Sequence, residues 1–451
     1  MKTVYLIGIG GIGMSALARY YKYAGYQVAG YDRTPSSLTK NLEDEGIAIH
    51  YIDDVNLIPT IYKENKDTLI IYTPAVPNNM EELNFFRNAG YKVVKRSVVL
   101  GMIASEKQCL AVAGTHGKTT TSTLLAHLMT QIGGGCTAFL GGISKNYNSN
   151  LLLSDTEYLV AEADEYDRSF LQLYPQIAVI TSADADHLDI YGNENEFKKT
   201  FGKFVSQIKP NGTLILKDGV NIPLDAFKGT VYRYAYNTPC DFYAKNIELI
   251  EGGYYTFDIH TPFGTIPACT LGIPGWINVE NAIAASAVAL IAGADGNKLK
   301  EALKNFTGVK RRFDFYINTP NLVYIDDYAH HPAELKASIT SIRQMFPERK
   351  ITGVFQPHLY TRTRDFANEF AKSLSLLDKL ILLEIYPARE LPIEGVTSQI
   401  IFDKVTIADK QICRKDDLLD VLKNTDIDVL VTLGAGDIDR FVEPITKMLI
   451  K

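Results

Sequence analysis

A basic excess is the first thing this chain of 451 residues lacks. Its 46 Lys and Arg stand against 52 Asp and Glu, a formal charge of −6. Without a positive net field, neither nucleic acid nor an anionic membrane surface is an expected partner. Cysteine is scarce as well: five residues, scattered and odd in number, none in a CxxC pair or at metal-ligand spacing from a histidine. That pattern gives no disulfide framework and reads as reduced thiols of the cytoplasm. No apolar run approaches the ~20 residues needed to span a bilayer, so membrane insertion is not expected. Met1–Gly8 lacks a small-residue cleavage site and reads as a first strand, not as a signal peptide. Low complexity and short-period repeats are absent. What remains is ordinary globular usage, 46% apolar and 22% charged, long enough for about three domains at roughly 150 residues each.

The chain opens three times in a similar way. Val4–Ile7 is an apolar strand, followed by the glycine turn Gly8–Gly13, a helical stretch Met14–Ala24 and a second strand Gln27–Tyr31 ending in Asp32. Cys109–Ala113 is a second opening strand, followed by Gly114–Thr121 and a helical run Ser122–Ile132. Strands at Tyr158–Ala161 and Ile177–Thr181 lead into the acidic segments Glu162–Asp167 and Asp184–Asp189. The third opening is Asn321–Ile325 with Asp326 and Asp327 at its end. The reading is α/β with three domains: 1–100, 101–309 and 310–451.

Gly8, Gly10 and Gly13 satisfy G-x-G-x-x-G between a strand and a helix. Glycines there permit a tight turn and close backbone approach to a pyrophosphate, over a helix N-terminus that favours anions. Asp32 stands where a carboxylate accepts from a ribose hydroxyl. The turn alone does not distinguish NAD from another pyrophosphate compound, or from a tight turn without a ligand.

Gly114-Thr115-His116-Gly117-Lys118-Thr119-Thr120 is a phosphate loop without its first glycine, which falls on Val112. Its backbone N–H groups are expected to cradle phosphates, Lys118 to neutralise them and the Thr119 hydroxyl to ligate Mg²⁺. The two acidic segments end strands on the same sheet edge, where hard oxygen ligands suit Mg²⁺ bound to ATP. His187, between carboxylates, is the best histidine for that metal. The adjacent His330 and His331 do not read as zinc ligands, because neighbours on a turn seldom reach one ion and no third ligand has the spacing.

Several segments together resemble the Mur ligases: Gly114–Thr120, Glu162-Ala163-Asp164-Glu165, Asp186-His187-Leu188-Asp189 and Arg311-Arg312-Phe313. Further segments carry the likeness through the whole chain: Gly8–Ser15, Asp327–Pro332, Phe355–His358, Tyr360–Asp365 and Gly434–Ile438. The resemblance implies a Rossmann-like N-terminal domain, a P-loop-type central ATPase domain and a Rossmann-like C-terminal domain that closes over ATP and the amino acid. It implies a cytoplasmic ATP-dependent ligase of peptidoglycan precursor synthesis, monomeric or homodimeric, joining L-alanine to UDP-N-acetylmuramate. The runner-up in the family is recycling of a preformed tripeptide onto the same sugar. It implies that Gly8, Gly10, Gly11, Gly13, Met14, Ser15 and Asp32 hold the UDP-sugar and not NAD. Thr119, Glu162 and His187 would hold Mg²⁺. Gly114–Thr120, Asn281, Arg312 and Asp327 would bind ATP. Tyr328, His330 and Arg362 would line the muramate and alanine side, with Lys118, His187, His330 and Arg312 as the catalytic groups. The chain departs from the family pattern at Ile277, usually His, and at Leu359, usually Arg.

Overall fold

The computed structural model describes residues 2–184, 188–388 and 390–450. Its first sheet has five parallel strands in the spatial order Ala48–His50, Gln27–Tyr31, Thr3–Ile7, Leu69–Tyr72, Lys92–Lys95. Thr3–Ile7 is apolar at nearly every position because both its faces are covered. Val4 and Leu6 enter one core, while Tyr5 and Ile7 enter another. The strand order reverses at Thr3–Ile7, so the crevice beyond its carboxyl end holds the glycine turn.

The second sheet has ten strands. At its centre Ile177–Ile180, Gln108–Ala113, Tyr158–Ala163 and Thr137–Ser144 run parallel side by side. Their carboxyl ends therefore gather the phosphate loop, the first acidic segment and residues 181–184 at one edge. The third sheet has six strands, in the order Asp314–Asn318, Val323–Asp327, Val429–Leu433, Ile351–Phe355, Lys379–Leu382, Lys410–Ile412. Only Asp314–Asn318 is antiparallel to its neighbour.

These sheets lie in two compact units. One comprises 1–246, 257–269 and 280–307; the other comprises 247–256, 270–279 and 308–451. The first unit holds both the glycine-turn sheet and the centre of the phosphate-loop sheet, because helix Ile12–Tyr23 packs on the hairpin Thr137–Ser144/Ser149–Leu152. Asn150 fastens that packing. Its buried amide donates to Ile12 O (2.6 Å) and Ser15 Oγ (2.9 Å) and accepts from Arg19 Nη1 (2.5 Å).

Several element boundaries differ from the sequence reading by one to four residues, Val323–Asp327 taking in Asp326 and Asp327 among them, and two bear on the phosphate loop for a local reason. The strand expected to stop at Ala161 continues to Ala163, so Glu162 is a strand residue paired with Val112. The helix expected from Ser122 begins at Lys118, because Gly117 takes the left-handed conformation (φ 78°) at its N-cap. Lys118, Thr119 and Thr120 thus form its first turn. All five cysteines are free thiols. Among the described residues no helix is long and apolar enough to cross a membrane.

Candidate active site

The phosphate loop is built by the turn between Ala113 and Lys118. Gly114 has φ 134°, and a side chain there would meet Thr181 Oγ1 at 2.2 Å. The loop is strapped to the neighbouring strand end: Thr115 Oγ1 donates to Asp184 O (2.7 Å) and the His116 N–H to Ser182 Oγ (2.8 Å). Helix Lys118–Ile132 then presents its N-terminus, with its partial positive charge, to the loop.

Lys118 folds back over this loop. Its ammonium donates to Gly114 O (2.7 Å) and pairs with Glu165 (2.7 Å to Oε2, 3.0 Å to Oε1). Burial works against the charge, but Glu165, Asp164 and Glu162 outweigh it and hold the ammonium well above the usual lysine range. Burial pushes the Glu165 carboxyl up to about 7, against the pull of Lys118.

Thr119 Oγ1 donates to Glu162 Oε1 (3.2 Å). The other oxygen, Glu162 Oε2, is buried and accepts no hydrogen bond among the described residues. It lies over Gly141, where a Cβ would come within 2.1 Å. A hydroxyl and an under-satisfied buried carboxylate are hard oxygen donors that fit a divalent cation such as Mg²⁺. His187, expected as a further ligand, lies outside the described residues. Asn281 belongs to the same cluster: its Oδ1 accepts from Thr121 Oγ1 (3.2 Å) and sits where a Gly117 side chain would be.

At the first sheet, Gly8 turns with φ 84°, and the Gly10 N–H donates to Asp32 Oδ2 (2.8 Å). Asp32 Oδ1 accepts from the Thr34 N–H (3.1 Å), so the carboxylate expected beside a ribose braces the glycine turn. Gly11 is exposed at the helix N-cap. Gly13 leaves room for Arg96, whose Nη1 would lie 2.7 Å from a Cβ there. Met14 and Ser15 are buried, and the Ser15 hydroxyl donates to Ile12 O (2.9 Å) and faces Asn150.

In the second unit the remaining candidates converge. The Arg312 guanidinium lies 4.7 Å from the Tyr328 ring centroid, and the Tyr328 ring stands edge-on to His330 at 5.2 Å. His330 stands in turn 5.9 Å from His358. Burial, with smaller help from Arg362 and Arg312, lowers His330 to about 4 against the opposing pull of Glu334. Burial raises Asp327 to about 6, despite Ser338 and Arg312. Arg311, the neighbour of Arg312, is a structural clamp, donating to the buried Asp326 (3.2 Å) and to Gly434 O (2.8 Å). Leu359 is buried at φ 71°, a strained conformation for a branched residue, immediately before helix Tyr360–Asp365 with its buried Arg362. Strain of this kind collects at functional sites.

Three family models cover most of the chain: the Mur ligase family catalytic domain over residues 3–108, the Mur ligase middle domain over 112–289, and the Mur ligase glutamate ligase domain over 311–436. The chain belongs to the Mur ligase family. UDP-N-acetylmuramate–L-alanine ligase of Parabacteroides distasonis is 54% identical over all of this chain and 97% of its own length. The enzyme of the same name from Phocaeicola vulgatus is 52% identical, over 100% and 99%. The crystal structure of UDP-N-acetylmuramate-alanine ligase from Thermotoga maritima superposes with a TM-score of 0.85 at 26% identity, covering 100% of this chain and 99% of that one. The three-domain α/β Mur ligase fold is thus that of this chain.

Sequence reasoning gave no role to Glu165, Gly141, Ser182 or Glu334. Glu165 stood inside a quoted motif, and Glu334 stands at capping-box spacing from His331, a legible signal. Gly141 and Ser182 act across strands and carry no local mark.

Proposed function

We propose that this protein uses ATP to join L-alanine to the carboxylate of UDP-N-acetylmuramate, releasing ADP and phosphate, as a cytoplasmic step of peptidoglycan precursor synthesis. The observation that carries the reading is identity above half, over the full length, to relatives bearing that activity in their names. Residues 1–100 would hold the UDP-sugar on the Gly8–Gly13 turn, 101–309 would hold ATP, and 310–451 would supply the amino-acid side.

A carboxylate resists attack because its charge repels nucleophiles and oxide is a poor leaving group. Phosphorylation to an acyl phosphate removes both obstacles. Lys118 and the helix N-terminus behind it offset the charge of the two anions that must meet. To reach a phosphate, the Lys118 ammonium exchanges Glu165 for the nucleotide. Thr119 and Glu162 are the residues that would hold Mg²⁺, which supplies further charge neutralisation on the phosphates. Arg312 stands ready to stabilise the oxyanion formed when the amine attacks, and His330 faces the amine.

A phosphate-release assay tests this. Turnover requires both UDP-N-acetylmuramate and L-alanine. ATP hydrolysis indifferent to both, or a preformed tripeptide outcompeting L-alanine, defeats the reading.

A further inference from the structure

We propose that Glu334 is a positioning residue that locks the tautomer of His330, keeping the ring proton on Nδ1 so that Nε2 is the lone-pair nitrogen offered to the attacking amine. The inference rests on the reading of His330 as part of the amino-acid pocket.

His330 sits between strand Val323–Asp327 and helix Pro332–Met345. Glu334, in the first turn of that helix, reaches back over the turn. Its Oε2 accepts the N–H groups of His330 (3.0 Å) and His331 (3.1 Å) and lies 3.3 Å from His330 Nδ1. The Tyr328 carbonyl lies 3.0 Å from the same Nδ1. A carbonyl only accepts, and this carboxylate oxygen is already accepting two backbone bonds. Nδ1 must therefore donate to the Tyr328 carbonyl, and the Glu334 carboxylate charge beside it favours the proton on that nitrogen. A neutral imidazole has one N–H, so the lone pair falls on Nε2. A histidine free in water prefers the opposite tautomer; the Tyr328 carbonyl bond and the neighbouring Glu334 charge reverse that preference. The Tyr328 and His358 rings, edge-on at 73° and 74°, hold the ring plane.

The charged and titratable groups facing the ring are Glu334 from its own turn and helix, Arg312 from the segment before strand Asp314–Asn318, Arg362 from helix Tyr360–Asp365, and Tyr328 and His358. Burial above all, helped by Arg362 and Arg312, outweighs the pull of Glu334 and the Tyr328 carbonyl and keeps the ring neutral down to about pH 4. A ring this weakly basic does not strip a free ammonium. It accepts a hydrogen bond and aims the nitrogen, and its fixed tautomer makes that bond available in every molecule.

Glu334→Gln separates this role from helix capping. Glutamine at the same position keeps an oxygen for the backbone N–H groups, as capping boxes allow, but carries no charge. Without the carboxylate charge beside Nδ1, the ring proton moves toward Nε2. Long-range ¹⁵N–¹H spectra of the imidazole nitrogens, with the His330 signals assigned by their loss in His330→Gln, read the tautomer directly. The expected result is an Nδ1–H pattern in the wild type and a shift toward Nε2–H in E334Q. The KM for L-alanine should rise on the order of tenfold, the scale of one hydrogen bond, with the KM for ATP unchanged. A wild-type ring protonated on Nε2 overturns the proposal, whatever the fate of the variant. So does an E334Q enzyme with unchanged ring pattern and unchanged KM for L-alanine. Failure of the functional reading looks different: no L-alanine-dependent phosphate release by the wild type, while the ring pattern still changes in E334Q.

Discussion

Single residues of the phosphate-loop cluster do two jobs at once, and substitutions separate them. Lys118 is both the cation for a phosphate and the counter-ion of Glu165, whose side chain is 2% exposed. Lys118→Ala should lower phosphate release by about 10²–10³-fold or more. It should also strand a buried carboxylate, where breaking such a pair typically costs about 3–5 kcal/mol. Glu165 already sits near 7, above its ordinary value of 4.5, and loses its cation in the variant. A carboxyl raised in the folded state contributes stability that is complete below the unfolded value and is lost as pH rises through the folded one. The melting point of K118A should therefore fall further below wild type at pH 8 than at pH 6, with E165Q in the same background removing the difference. Gly141 gives the converse case. A methyl group there meets only the tip of the Glu162 side chain, which can swing away. Gly141→Ala should leave the melting point nearly unchanged while raising the Mg²⁺ concentration for half-maximal turnover on the order of tenfold, about 1.4 kcal/mol. An unaltered Mg²⁺ requirement would remove Glu162 from the metal site.

Among elements, the first sheet carries an acidic group that the proposed chemistry does not use. Tyr5, on the central strand, donates to Glu82 Oε2 (2.7 Å) from helix Glu81–Asn88 and touches His50 Nε2 (2.7 Å) on the edge strand. Burial raises Glu82 from 4.5 to about 7 and lowers His50. By the same sign argument, this carboxyl makes the domain lose stability between about pH 4.5 and 7 as pH rises. Glu82→Gln keeps the Tyr5 hydrogen bond and removes the charge. Across that window the variant should gain on the order of 3 kcal/mol relative to wild type, measured by chemical denaturation at several pH values. A parallel pH dependence of the two proteins would show that Glu82 titrates normally.

At the scale of the whole molecule, the glycine-turn sheet and the phosphate-loop sheet share one apolar core, and a few polar contacts fasten its edge. Asn150 alone bonds helix Ile12–Tyr23 three times from the hairpin beneath it. Asn150→Ala leaves the Ile12 carbonyl and the Arg19 guanidinium each one bond short. It should cost about 1–3 kcal/mol, seen as a lower denaturation midpoint and faster proteolysis between the two sheets, with ATP binding retained. An N150A protein as resistant as wild type would place the cohesion in the apolar contacts of the helix instead.

The residues determined much of this by themselves. A strand, a glycine turn and a helix in succession define where phosphate can be held, because left-handed turns and free helix N-termini make demands within a few positions of one another. Gly8–Gly13 and Gly114–Thr119 were legible for that reason, as were the alternation of strands and helices and the family itself. Tertiary structure decided what depends on strand order and register. It set Lys118 against Glu165, 47 positions on, and Glu162 over the bare backbone of Gly141. It brought Asn150 beneath a helix 138 residues earlier and turned Asp32 toward its own glycine loop. Glu334 shows the boundary: capping spacing marks it in the sequence and its contact with His330 is local, but only the fold brings the His358 ring against the same imidazole. Local geometry is written in neighbouring residues, whereas the partners of a buried charge are fixed by which strands lie side by side.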